Sequence, residues 1–353
     1  MVERGQYTYT EITTQPKAWA GALNSFASMQ DDMLAAWRTN PPQQIIVTGC
    51  GSTHYLSQTV AELLQQQTAV STRAYPASEL LLSANTAWLD APSTLMIAIS
   101  RSGTTTETLE AVKGFQKRNG RFLWTITCYP DSPLAAASDL VFAIEAAQEE
   151  SVAQTRSFAS MLLMAQMIAA TLGGINIEAA DQFPAIGYNL IQQTEELVAT
   201  IAQQENIDRL YFLGSGAQYG IANEIMLKMT EMSLSHSSAF HFMEFRHGPM
   251  SMVTENALVI GLLSSDNYTH EAQVLQEMGE LGAHTLALNP TKNTVNATWQ
   301  VQLPPNLPAC LLPLLYLPPL QLLAYHRSMG KGLNPDNPRN LTAVIYLDTA
   351  VFQ

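Results

Sequence analysis

The sequence predicts a duplicated α/β protein: two doubly wound parallel sheets in tandem, after an N-terminal helical segment and before a short tail. Two Gly-rich strand ends carry this expectation, Thr48-Gly49-Cys50-Gly51-Ser52-Thr53 and Leu213-Gly214-Ser215-Gly216-Ala217-Gln218, about 165 residues apart. Around each of them, short apolar runs alternate with amphipathic stretches, the pattern of βαβ units on a parallel sheet. The same order of elements recurs at the same spacing, which marks the halves as structural repeats.

Residues from Tyr9 to Trp37 have helical spacing, with Pro16 expected in a first turn, where a missing N–H is tolerated. The first repeat should place strands at Ile45–Thr48, Val70–Tyr75, Leu95–Ser100, Phe122–Thr127 and Leu140–Ile144. A long apolar helix over Val152–Leu172 follows, then the Gly173-Gly174 break and a polar helix over Asp181–Gln204. The second repeat should place strands at Arg209–Leu213, Ser238–Phe242, Leu258–Leu263, Thr285–Leu288 and Trp299–Leu303, and a helix over Pro313–Arg327. A strand over Thr342–Leu347 would end the chain. The expected division is a helical segment at 1–40, a first domain at 41–195, a second at 196–340 and a tail at 341–353.

At 353 residues the chain has length for two domains with their own cores. Apolar residues make up 47% and charged residues only 13%, which suits sheets buried on both faces. A formal charge of −13, with 17 Lys and Arg in no basic run, argues against nucleic acid as a partner, since that needs clustered cations. Three scattered cysteines (Cys50, Cys128, Cys310) form neither a disulfide framework nor a zinc motif. No metal or cofactor is expected, and the seven histidines lack paired helical spacing. A polar Met1–Thr14 and the proline-broken apolar stretch Pro304–Leu323 lead us to expect a soluble cytoplasmic protein with no membrane partner.

The chemistry-bearing residues fall in three places. Ser100-Arg101-Ser102-Gly103-Thr104-Thr105-Thr106-Glu107-Thr108 directly follows the apolar run Thr94–Ile99. A buried strand that ends in hydroxyls and Gly and then enters a helix is a phosphate cradle: backbone N–H groups, the helix dipole and Ser/Thr hydroxyls all favour an anion. The second repeat has Leu263-Ser264-Ser265-Asp266 there, and an aspartate would repel phosphate. Next, Glu224, Lys228 and Glu231 at i, i+4 and i+7 stack on one helix face. Such a stripe is commonly a surface ion-pair ladder. At the C-terminal edge of a parallel sheet, where ligands bind, it can instead be a carboxylate poised for proton transfer. Last, Glu244-Phe245-Arg246-His247-Gly248-Pro249 puts His247 in a turn, as an ordinary surface histidine or as an acid/base imidazole. Dinucleotide binding is weakly signalled, since His54 and Tyr219 stand where the third Gly of each fingerprint is wanted.

These segments together resemble the double-SIS (sugar isomerase) family, and within it the isomerase half of glucosamine-6-phosphate synthase, over nearly the whole chain. The matching segments are Glu11–Pro16, Thr48–Ser52, Ser100–Thr108, Glu150–Phe158, Leu213–Gly216, Glu224–Glu231, Glu244–Pro249, Lys331-Gly332 and Asp336–Leu341. The resemblance implies two flavodoxin-like domains and a phosphorylated (amino) sugar as ligand. Its phosphate would be held by Ser100, Arg101, Ser102 and Thr105, with Ser52 and Thr53 opposite, and Val152 would contact the sugar through its backbone. Arg101 stands where the synthase-like pattern has glutamine. Glu231 resembles the base that moves a proton between C1 and C2, Lys228 and Glu224 its supports, and His247 the ring-opening acid/base that relatives donate across a homodimer interface.

Two departures shape the expected reaction. The chain starts at the isomerase part with no N-terminal nucleophilic cysteine, so an internal ammonia source is not expected. The synthase pattern also carries a Schiff-base lysine two residues after Arg-Asn-Leu; that position here is Ala343, and no lysine follows Lys331. The expectation is therefore a SIS-type glucosamine-6-phosphate deaminase. A deglycase for phosphorylated sugar–amino acid adducts, another phosphosugar isomerase and a non-catalytic sugar-phosphate sensor are the alternatives.

Overall fold

The computed structural model describes residues 3–84 and 90–342. The chain forms two compact units, one drawn from residues up to Thr14, Glu150–Thr155 and Ala185–Leu341, the other from Gln15–Glu149 and Arg156–Pro184. One long helix, α1 (Gln6–Thr39), opens the chain.

The first sheet belongs to the second of these units. Its elements are β1 (Gln44–Gly49), α2 (Ser52–Thr68), β2 (Ser71–Pro76), α3 (Ala77–Leu82), β3 (Thr94–Ile99), α4 (Thr106–Lys117), β4 (Phe122–Thr127), α5 (Pro133–Ala136), β5 (Leu140–Ala143) and α6 (Arg156–Leu172). All pairings are parallel, in the order β2-β1-β3-β4-β5. Every residue of β3 is buried, which is why it reads as an unbroken apolar run rather than an alternation. Ile46, Met96, Val112, Phe115 and Leu123 form the core under α4. In α6 every residue from Ser157 to Ala170 is buried, and it packs along α2.

The second sheet repeats the plan in the other unit. After α7 (Phe183–Ala202) come β6 (Arg209–Leu213), α8 (Ala217–Ser233), β7 (His236–Phe240), α9 (Phe242–Phe245), β8 (Ala257–Leu262), α10 (Tyr268–Glu280), β9 (His284–Asn289), β10 (Trp299–Gln302) and α11 (Leu317–Gly330). The order β7-β6-β8-β9-β10 is again 2-1-3-4-5 and again all parallel. The Gly turns match in detail: Gly51 has φ 56, ψ −124 and Gly216 φ 54, ψ −129, and each starts a 17-residue helix closed by a left-handed residue, Ala69 or Leu234. In this strand order, connections leave in opposite directions from β1 and β3, and from β6 and β8. Each reversal opens a crevice at the strands' C-terminal ends, the usual place for a ligand.

Three local expectations change. Pro16 lies well inside α1, which begins at Gln6, so the helix is continued by its neighbours' packing despite one lost backbone bond. The long apolar helix starts at Arg156 and not at Val152, because residues 150–155 are held elsewhere, as described below. The second strand of the second sheet is His236–Phe240, with Phe242 already in α9. The strand expected over Thr342–Leu347 lies, from residue 343 on, outside the described residues. No described helix is long and apolar enough to cross a membrane.

Candidate active site

In the first-sheet unit the crevice between β1 and β3 is lined by the two predicted loops. Ser100 follows β3 directly and is 2% exposed; its Oγ accepts the Gly103 N–H at 3.1 Å and lies 3.4 Å from Thr105 Oγ1. Ser102 Oγ accepts from Thr104 N at 3.2 Å and Thr104 Oγ1 at 3.0 Å. Gly103 is needed at the turn: its φ is +65°, and a Cβ there would stand 2.1 Å from Ser132 Oγ. Thr105 caps α4 without a side-chain bond, so the helix N-terminus faces the loop with its dipole unanswered by its own cap. Across the crevice Ser52 and Thr53 are buried in the first turn of α2, and Thr53 Oγ1 both accepts from Cys50 N and donates to Cys50 O, each at 2.9 Å. Cys50 Sγ lies 3.6 Å from Thr108 Oγ1, joining the two loops at their floor. Burial pushes the Cys50 thiol up to about 11, so it stays protonated and unreactive.

Arg101 is buried and pairs with Glu149 at 3.3 Å. Glu149 also accepts from Ser157 N at 3.1 Å and from Ser157 Oγ, which makes it the cap of α6. The guanidinium next to the cradle is thus already neutralised by a fully enclosed carboxylate.

In the second-sheet unit, α8 gathers Glu224, Lys228 and Glu231 on one face, as the spacing predicts. The stripe is not on the surface: the Glu224 and Lys228 side chains are each 1% exposed. Lys228 Nζ lies 3.3 Å from Glu224 Oε1 and donates to Glu231 Oε1. Burial would lower the Lys228 pKa, but the two carboxylates outweigh it and hold it above the ordinary lysine value. Two acids and one base leave the cluster one negative charge, and Glu231, 12% exposed, is its outermost member. A carboxylate fixed by an ammonium, with one edge accessible, is equipped to accept and return a proton.

His247 is exposed in the turn after α9, its backbone N–H donating to Glu244 O, and its ring makes no hydrogen bond or ion pair among the described residues. The turn is tied down beside it by a bidentate pair, Arg246 to both oxygens of Glu277 on α10, at 2.6 and 2.7 Å.

Val152 sits in the same unit as α8. Its N–H donates to Asp336 O at 3.0 Å. Glu11 of α1 accepts from Glu150 N at 2.6 Å, from Ser151 N at 3.2 Å and from Ser151 Oγ. Gln321 of α11 donates to Thr155 O at 3.0 Å. Glu11, Glu149 and Asp336 were given no role from sequence; Glu11 and Asp336 lie in matching segments, a signal that was available. Ala343 is outside the described residues.

Residues 40–171 and 204–326 both match the SIS domain family model. The chain belongs to the SIS family, as two tandem copies of that domain. It is 28% identical over 99% of its length to a glutamine--fructose-6-phosphate aminotransferase [isomerizing] of Legionella pneumophila, and spans about 60% of the length of the curated relatives it matches. Among solved structures it is similar to a glucosamine-6-phosphate deaminase from Thermotoga maritima, with 26% identity and TM-score 0.79 over 97% of this chain and 100% of that one. It shares its fold with the tagatose-6-phosphate ketose/aldose isomerase of Escherichia coli (TM-score 0.83, 23% identity, 95% and 97% covered).

Proposed function

We propose that the protein is a SIS-type glucosamine-6-phosphate deaminase that acts as a cytoplasmic homodimer. The observation that carries the reading is the buried Glu224–Lys228–Glu231 cluster, which suits a proton shuttle. The match to the Thermotoga deaminase over 97% of this chain and 100% of that one supports the choice within the family.

Ser100, Ser102, Thr105, Ser52 and Thr53 would hold the phosphate, Arg101 would lend a cation tempered by Glu149, and the Val152 carbonyl would orient the sugar. His247, from the partner subunit, opens the ring to the aldehyde. Glu231 takes the C2 proton, giving an enolamine, and returns it to C1. The C2 imine so formed is hydrolysed by water, and fructose 6-phosphate and ammonia leave. Lys228 would fix Glu231 through its ion pair, and Glu224 would anchor Lys228.

The test is ammonia release from purified protein given glucosamine 6-phosphate, with fructose 6-phosphate measured in a coupled assay. Turnover above about 1 s⁻¹, an ordinary enzyme rate, is expected. Saturable binding with no ammonia would refute the deaminase and redirect the search to adduct deglycation, aldose–ketose exchange or sensing. Mixing inactive E231Q and H247N chains should restore up to about one quarter of wild-type activity if the histidine crosses the interface.

A further inference from the structure

The two crevices are alike in backbone and opposite in occupancy. In the second, β6 ends in Gly214-Ser215-Gly216 and β8 feeds the turn Ser264–Asn267 into α10, a 13-residue helix whose N-cap, Asn267, makes no side-chain capping bond. Glu271, 1% exposed, turns its carboxylate back into this turn. Its Oε2 accepts from Ser264 N at 2.5 Å and Ser264 Oγ at 3.0 Å, while Ser264 Oγ accepts from Asn267 N at 3.1 Å. The Ser215 side chain of the Gly turn lies close to the same carboxylate. Its other oxygen, Oε1, is buried with no hydrogen-bond partner among the described residues. The Tyr316 hydroxyl, donating to Leu263 O, closes the floor. Asp266, the acid that stands out in the sequence here, is exposed.

In the first crevice the neighbour of the matching Gly-turn residue, Cys50, is Thr108, a small neutral side chain. Glu107 in the same turn makes no hydrogen bond to Ser100–Thr105 among the described residues. Among the described residues, the loop hydroxyls of Ser100 and Ser102 there bond only within the loop.

A carboxylate on a loop N–H and a serine hydroxyl, beside a helix N-terminus at a strand-order reversal, occupies the position of an anionic ligand. A buried carboxylate oxygen without a donor is costly, so Glu271 is not there as an ideal cap. We propose that the second crevice is an anion site closed by the chain's own Glu271, and that inorganic phosphate or a phosphate monoester enters it once this side chain is cut back.

The test compares wild type, E271T (the residue type at the matching place in the first repeat) and E271Q. Each is measured alone and with S102A, which weakens the first cradle. Melting midpoints are followed in inorganic phosphate against chloride of equal ionic strength. At ten times its dissociation constant a ligand raises the midpoint of a unit this size by roughly 3–6 °C. The proposal expects this phosphate-specific rise in E271T and in E271T/S102A beyond that of the matching Glu271 proteins. E271Q, which keeps an oxygen acceptor in place, should behave as wild type. Equal effects of phosphate and chloride in E271T, or a phosphate effect no larger than in its Glu271 counterpart, would overturn it. If E271T does not fold in chloride, refolding yield is the readout: rescue by phosphate is expected, and equal yields in both salts count against a site.

Discussion

The two repeats share strand order, Gly turn and a 17-residue helix after it, yet they divide the chemistry between them. The first keeps a loop whose Ser100 and Ser102 hydroxyls bond no carboxylate among the described residues, and a helix with neutral side chains where α8 carries its three charges. The residues 165 positions before Glu224, Lys228 and Glu231 are Thr59, Leu63 and Gln66, and Thr59 and Leu63 are core residues of α2, at most 1% exposed. The second repeat has the charged helix and a loop filled by Glu271. Duplication supplies two crevices with the same Gly turn, and the proposed roles, an anion cradle in one repeat and proton transfer in the other, rest on a handful of side chains. The charges on α8 survive burial because Lys228 touches both acids; the same acids on α2, facing α6, would have had no such partner.

The division breaks most visibly at Glu231. Glu231→Gln keeps the shape and removes the base, so kcat should fall by about 10²–10⁴-fold. Sugar-phosphate binding, measured by calorimetry, should change little, because the cradle belongs to the other repeat. Near-normal turnover in this variant would remove the basis for assigning proton transfer to α8.

Lys228→Met tests the charge balance. Removing one member of a buried ionic cluster costs about 3–5 kcal/mol, read as a loss of unfolding free energy in urea. In the folded fraction Glu224 and Glu231 then face each other without the ammonium, and like-charge repulsion raises their pKa. The base is protonated up to a higher pH, so the acid limb of kcat/KM should move upward. An unmoved limb would mean that Lys228 does not tune Glu231.

The converse experiment places the second repeat's carboxylate in the first. Thr108→Glu puts an acid beside the cradle floor and should raise KM for the sugar phosphate by roughly 100-fold or more. Thr108→Gln, of equal size and no charge, should have a much smaller effect. If both raise KM alike, shape and not charge distinguishes the crevices.

Much of this division was legible in the sequence and some of it was not. The strands could be placed because unbroken apolar runs such as Thr94–Ile99 mean burial on both faces, and the Gly turns because the chain must bend sharply there. The spacing of Glu224, Lys228 and Glu231 disclosed a shared face, but an i, i+4, i+7 stripe looks the same whether the face is wet or dry. Burial was decided by α11 packing on α8, a contact distant in sequence. The Arg101–Glu149 pair joins residues 48 apart, and Glu11 reaches a loop 139 residues away; neither has a local pattern. Pro16 misled because its local preference for a first turn was overridden by the packing of a 34-residue helix. Glu271 was overshadowed by Asp266, which sits in the loop but points its charge to water. Aligning the repeats would have found it, as an acid where the first repeat has Thr108.

The smallest difference lies at the short helices after β2 and β7. In the first repeat α3 meets α4 through apolar side chains, with Ala77 and Leu80 against Val112 and Phe115. In the second, α9 and α10 add the bidentate Arg246–Glu277 pair. The side chains are 20% and 32% exposed, so water and salt screen the pair, and Arg246→Ala should cost no more than about 0.2–1 kcal/mol. Arg246 holds the Glu277 carboxyl below the usual carboxylate range, with its partial burial opposing. A depressed carboxylate contributes stability that is fully present above about pH 4.5, its ordinary value, and is lost as pH falls through the lower folded value. Wild type and Arg246→Ala should therefore differ in urea midpoint at neutral pH and low salt, and converge in acid or in molar salt. A difference that persists in acid would assign the effect to the packing of the Arg246 stem, and the two short helices would then be held in the same way.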